Sequence, residues 1–94
     1  MDEESLELLK IIGSAKTVDI LEYFRENGTA QHHDLSQFVN THTLNSRICQ
    51  MLKFKLIEHH YERIKSKREW YTLTEKGKKV LEYVENVAKL QQSS

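Results

Sequence analysis

The sequence predicts a mainly helical α+β domain, and three observations predict it. Apolar residues recur at helical spacing along most of the chain. The period drops from 3.6 to 2 over one stretch only, and that stretch turns back on itself around a basic loop. The chain has 94 residues, 38% hydrophobic and 30% charged, with no proline, three glycines and one cysteine, Cys49. That length suits a single domain, expected to span residues 1–94, and leaves little chain for the layered core and substrate cleft of an enzyme.

Leu6, Leu8, Leu9, Ile11 and Ile12 mark a first helix ended by Gly13, with acids in its first turn, where the helix dipole favours them. Ser14 is placed to cap a second helix bearing Val18, Ile20, Leu21 and Phe24, which stops at Asn27 and a left-handed Gly28. Residues 29–33 read as an extended link. A brief third helix over residues 34–40 begins near Asp34 and buries Leu35, Phe38 and Val39, and Asn40 with Thr41 makes a tight turn. The fourth helix runs from Thr41 or His42 to about Lys55, with Leu44, Ile48, Met51 and Leu52 on one side.

Strand-like alternation follows over residues 56–64 and 69–73, joined by Lys65, Ser66 and Lys67 as a polar turn. Trp70 and Tyr71 are adjacent in the second strand, so one of them faces outward and the other joins the core. Thr74 is an N-cap for a last helix over residues 75–91, striped by Val80, Leu81, Val84, Val87 and Ala88. The predicted order is four helices, two strands and a helix. Two helices joined by a short turn and followed at once by a hairpin with a cationic tip make a winged helix-turn-helix, with residues 42–55 as its recognition helix.

The net charge is zero, from 14 basic and 14 acidic residues, but the charges are segregated. Residues 1–46 hold three bases against eight acids, a net of −5, whereas residues 47–79 hold ten bases against four acids, a net of +6. Such asymmetry points to nucleic acid, and a neutral total predicts salt-sensitive, oriented binding without long-range steering. On the fourth helix the side opposite the apolar stripe carries His42, Thr43, Ser46, Gln50 and Lys53, with Asn45 and Arg47 on its flanks. Hydroxyls, an amide and a guanidinium are the groups that read base edges, which selects Thr43, Ser46, Arg47 and Gln50 as base-contacting candidates. Lys53 on the helix and Arg63, Lys65, Ser66, Lys67 and Arg68 around the hairpin tip are candidates for gripping phosphates.

The segment L-x-x-x-I-x-x-M-L-K-F-K-L-I-E (residues 44–58) and the segment W-Y-T-L-T-E-K-G-K-K-V-L (residues 70–81) resemble bacterial and archaeal winged-helix regulators of the MarR, HxlR, PadR and ArsR type. They also resemble small archaeal DNA-binding proteins that append a dimerisation helix to a winged helix. The resemblance covers residues 18–90, and the Y-x-L-T-x-x-G element (residues 71–77) is its most specific part. It implies a dimeric double-stranded DNA-binding protein, with Thr43, Asn45, Ser46, Arg47 and Gln50 on the recognition helix and residues 65–68 on the wing. One departure is Lys55, where these proteins usually carry glycine, so the fourth helix is expected either to end differently or to run one residue further.

The last helix has two possible roles. Val80, Leu81, Val84, Val87 and Leu90 either pack back on the protomer or pair with a second chain, and the surplus of apolar residues points to a two-fold dimer. The histidine pairs His32-His33 and His59-His60 lack chelating spacing, Cys49 reads as a buried or half-buried filler, and no cofactor or catalytic constellation is implied. An acidic N-terminus, short apolar runs and a lone cysteine predict a cytoplasmic protein without a membrane span. The expected function is sequence-specific DNA binding by a homodimeric transcriptional regulator. A protein-interaction adaptor and a metal- or ligand-responsive sensor on the same fold are the alternatives.

Overall fold

A computed structural model describes residues 1–65 and 67–92 of the chain. Its elements are α1 (Glu3–Ile12), α2 (Ala15–Asn27), β1 (Thr29–Ala30), α3 (His32–Leu35), α4 (Thr41–Lys53), β2 (Ile57–Glu62), β3 (Arg68–Leu73) and α5 (Glu75–Gln92). This is the mainly helical winged-helix arrangement expected, with one strand more. The extended link at residues 29–30 pairs with β3, Thr29 opposite Thr72 and Ala30 opposite Tyr71, giving an antiparallel sheet of order β1-β3-β2. A two-residue strand has no periodicity of its own, so only its partner reveals it.

Local chemistry explains the helix ends. Asp2 caps α1 by accepting the Ser5 N–H at 2.7 Å, and that bond holds its carboxyl below the usual carboxylate range. Ser14 occupies the N-cap of α2, although its hydroxyl makes no cap bond, and Gly28 ends the helix with φ of 81°. The third helix starts two residues before the expected Asp34. Gln31 and Asp34 form a reciprocal capping box, which makes Asp34 the third helical residue. The expected span to Asn40 is also too long, because Asn40 caps the next helix by accepting the Thr43 N–H at 2.9 Å.

The fourth helix ends at Lys53, two residues short of the expected Lys55. The Leu56 N–H donates to the Met51 carbonyl at 2.9 Å and the Lys55 N–H to the Leu52 carbonyl at 3.0 Å, the paired bonds of a Schellman stop. Lys55 sits at its left-handed position with φ of 59°. The departure from glycine is therefore accommodated by strain and leaves the turn intact. Lys55→Gly is expected to stabilise the fold by about 0.5–1 kcal/mol, the relief of left-handed strain less the added chain entropy of glycine. Thermal melting would check it, and an unchanged or lower midpoint would contradict it.

One core gathers every layer. Ile20, Leu21 and Phe24 of α2, Leu35 of α3, Leu44 and Met51 of α4, Leu56 beyond the Schellman turn and Leu81 of α5 are all fully buried. Tyr71 turns inward from β3 while Trp70 is half-buried on the opposite side of the sheet. Burial raises the pKa of the Tyr71 hydroxyl, and the charges of Glu69 and Cys49 add to the shift.

Across α2 and α5, Arg25 and Glu85 form an ion pair at 2.5 Å, which lowers the Glu85 pKa. A depressed carboxylate contributes stability above its unfolded value and loses it as the pH falls through the folded one. Both side chains are at least one-third exposed, so the pair is worth under about 1 kcal/mol. Glu85→Gln is accordingly expected to destabilise the protein slightly at pH 7, by an amount that shrinks as the pH falls below the ordinary carboxylate range, read from urea melts across a pH series.

Candidate nucleic-acid interface

The helix α4 separates into a buried and an outward side. Leu44, Ile48 and Met51 are buried, while His42, Asn45, Ser46, Cys49 and Lys53 are exposed and Thr43, Arg47, Gln50 and Leu52 are half-buried. The exposed side is turned from the expectation toward Cys49. Leu52 was counted with the core, and leaving it out shifts the centre of the buried stripe by about 20° at 100° per residue. Cys49 is therefore exposed, where a filler role was expected. Gln50 moves to the flank.

No acidic residue occurs between Asp34 and Glu58, so the whole of α4 lacks a carboxylate. This is the electrostatic condition for approach to a polyanion, and it belongs to the one helix that follows a short turn after α3. Several candidates already have partners. Asn45 Oδ1 lies 2.7 Å from His32 Nε2 on α3. Lys53 Nζ pairs with Glu7 of α1 at 3.0 Å and lies 5.3 Å from the Phe54 ring, so a phosphate would have to draw it from Glu7. The Nε of Arg47 is covered and makes no hydrogen bond among the described residues.

The wing is built from β2 and β3, in register from Ile57 opposite Leu73 to Glu62 opposite Arg68. Alternation places His59 and Tyr61 on the Tyr71 side and His60 on the Trp70 side. Two guanidinium groups lie over aromatic rings on these strands. Arg63 is 5.1 Å from the Tyr61 ring centroid and Arg68 is 5.4 Å from that of Trp70, contacts that align cations along the hairpin. His60 stacks on Trp70 from the neighbouring strand and approaches the Thr72 hydroxyl at 2.8 Å. Arg63, Lys65, Lys67 and Arg68 are exposed, as is Ile64 at 92%. Ser66, the remaining wing candidate, lies outside the described residues.

The wing also meets the helix-turn-helix. Gln31, His32 and His33 at the start of α3 share an open hollow with Lys67, Glu69 and Tyr71 of the wing. A second hollow along the hairpin is lined by His59, Tyr61, Glu62, Arg63, Lys67, Arg68 and Glu69, where His59 and Glu69 lie 2.8 Å apart. Reading the sequence by helix wheel and charge missed His32, Cys49 and the two aromatic supports of the wing arginines. Cys49 was recoverable from a narrower core stripe, whereas His32 carries no signal before α3 and α4 are docked.

The helix α5 divides along its length. Gly77 and Leu81 are buried in the protomer, and Leu81 at 0% exposure has no surface left for a second chain, which corrects its assignment to a dimer interface. Val80 and Val84 are half-buried, while Tyr83, Val87 and Leu90 are 66%, 66% and 71% exposed. Leu6 and Leu9 of α1 are exposed as well.

Among the described residues no helix is long and apolar enough to cross a membrane, and no group of three or more His, Cys, Asp or Glu side chains converges on a metal-sized site. No protein-family model matches the chain, and no curated protein sequence matches it. Solved structures do. A protein assigned to the MarR family of transcriptional regulators from Enterococcus faecalis V583 superposes with a TM-score of 0.78 at 19% identity, covering 99% of this chain and 88% of its own. The regulator ytfH from Salmonella typhimurium gives 0.74 at 23% identity, covering 94% and 80%. NadR in complex with 4-hydroxyphenylacetate gives 0.72 at 19% identity, covering 93% of this chain and 64% of its own. These structurally similar proteins are regulators of transcription, and the fold of the chain is the winged helix-turn-helix that they share.

Proposed function

We propose that the chain is a double-stranded DNA-binding transcriptional regulator that acts as a homodimer in the cytoplasm, without enzymatic activity. In this reading α4 enters the major groove, where Thr43, Asn45, Ser46, Arg47 and Gln50 meet base edges. Lys53 and the wing residues Arg63, Lys65, Ser66, Lys67 and Arg68 meet phosphates. The single observation that carries it is the absence of any acidic residue across α4 beside a wing bearing four exposed cations, in a chain of zero net charge. An adaptor docking on proteins has no need of that segregation, so the charge map favours DNA.

The test is fluorescence anisotropy with a random duplex at 0.05 and 0.2 M salt, followed by selection from a duplex library. Binding that weakens steeply with salt and a recovered consensus are expected. Affinity indifferent to salt would exclude the phosphate contacts. The second chain is assigned to Val84, Val87 and Leu90 with Val80 at the edge, because apolar side chains this exposed on one long helix need a cover. Val87→Glu is expected to give monomers in sedimentation while leaving the melting curve of the protomer core nearly unchanged. A dimer that persists in this variant would move the interface elsewhere.

A further inference from the structure

His32 is the first residue of α3 and Asn45 lies in the second turn of α4, and their side chains meet at 2.7 Å. With the amide oxygen facing the ring, the contact is a hydrogen bond in the tautomer that carries its proton on Nε2, which then donates to Oδ1. The contact bridges the two helices of the helix-turn-helix from a ring that is half-buried and also borders the hollow beside Lys67, Glu69 and Tyr71 of the wing. Asn45 is exposed, and Asp34, the acid closest in sequence to α4 on its N-terminal side, is bound by the Gln31 N–H.

An unrestrained asparagine on such a helix can turn its amide over and offer a base edge either oxygen or N–H2. Held by His32, its Oδ1 keeps one lone pair and is anchored toward α3, while both Nδ2 protons remain available. The amide then meets a base edge in one orientation. It then offers its N–H2 to acceptors, a purine N7 and best the N7 and O6 pair of guanine, and turning its oxygen to an amino group such as cytosine N4 or adenine N6 would break the bond from His32.

We propose that His32 is a specificity-determining positioning residue, which donates to Asn45 Oδ1 and thereby makes Asn45 select a purine, guanine above all, and reject cytosine at one base pair of each half-site. This rests on the reading of α4 as the helix that meets base edges. His32 itself touches no base in this scheme and acts through Asn45.

The test uses the full chain and a duplex carrying the consensus recovered by the unsubstituted protein, with single-base variants at every position. In His32→Ala the purine-over-cytosine preference at one position is expected to fall about tenfold, the scale of one base-edge contact, with affinity for random duplex held within about twofold. His32→Gln, whose amide N–H can reach the same oxygen, is expected to recover most of the preference. In an Asn45→Ala background His32→Ala is expected to change nothing further. An unaltered preference in His32→Ala overturns the proposal, as does an equal loss on all duplexes or a loss that persists without Asn45. An unsubstituted protein with no preference among duplexes would instead overturn the underlying reading of α4, a result visible before any variant is made.

Discussion

Gly77→Ala is expected to lower the stability of the fold by about 3 kcal/mol and its melting temperature by more than 10 °C, the scale for overpacking a small domain against backbone. Alanine is the better helix former by about 1 kcal/mol, so an ordinary helix position would predict the opposite sign. Here packing decides. A Cβ at Gly77 would lie 2.2 Å from the Leu56 carbonyl oxygen and 2.6 Å from Leu73 Cδ1. The Leu73 methyl could move, but the Leu56 carbonyl belongs to backbone that leaves the Schellman turn and accepts from the Thr74 N–H at 3.0 Å. Thr74 completes the junction. Its hydroxyl lies 2.6 Å from the Lys55 carbonyl oxygen, to which it donates, and accepts the Gly77 N–H at 3.0 Å. The T-x-x-G portion of the Y-x-L-T-x-x-G element is therefore a docking device, in which threonine caps α5 and glycine lets it approach the entry to the wing. Denaturant and thermal unfolding would measure the effect, and a variant melting within 2–3 °C of the parent would show that the junction yields far more easily than backbone contact allows.

Simultaneous replacement of Lys65, Lys67 and Arg68 by alanine is expected to cut affinity for any duplex by roughly a hundredfold per wing at 0.15 M salt. Each neutralised phosphate contributes about 0.9 to the slope of log K against log salt, so three lost cations flatten it by nearly 3 per wing. The expected signature is a loss shared by all sequences, with base preference unchanged, because phosphate contacts carry register and not sequence. The wing supports of Arg63 and Arg68 make a further distinction within this result. Arg68 is aligned over Trp70, so its guanidinium loses less freedom on binding than either flexible lysine, and its removal is expected to account for the largest single share. A salt titration of the triple variant that runs parallel to the parent would remove the wing from the interface.

Much of this protein was legible before its structure. The apolar stripes of α2, α4 and α5, the hairpin with its cationic tip, the opposite facing of Trp70 and Tyr71, and the order of the helices and the hairpin all follow from period and residue type, which act over a few neighbours. The segregation of charge is likewise a property of the covalent order. The misread positions share a different origin. The start of α3 hinged on a capping box that competed with Asp34 as the cap itself, and the turn of α4 toward Cys49 hinged on how deeply the rest of the domain buries Leu52.

What the sequence by itself determined, then, is which segments are helical, where the one hairpin lies and which half of the chain is basic, because each depends on residues adjacent along the chain. The tertiary structure alone decided the pairing of residues 29–30 with β3, the burial of Leu81 within the protomer, the forbidden space at Gly77 and the hold of His32 on Asn45. Each of these depends on a distance between elements that docking sets, and a few ångströms there change a residue from exposed to buried or from free to held.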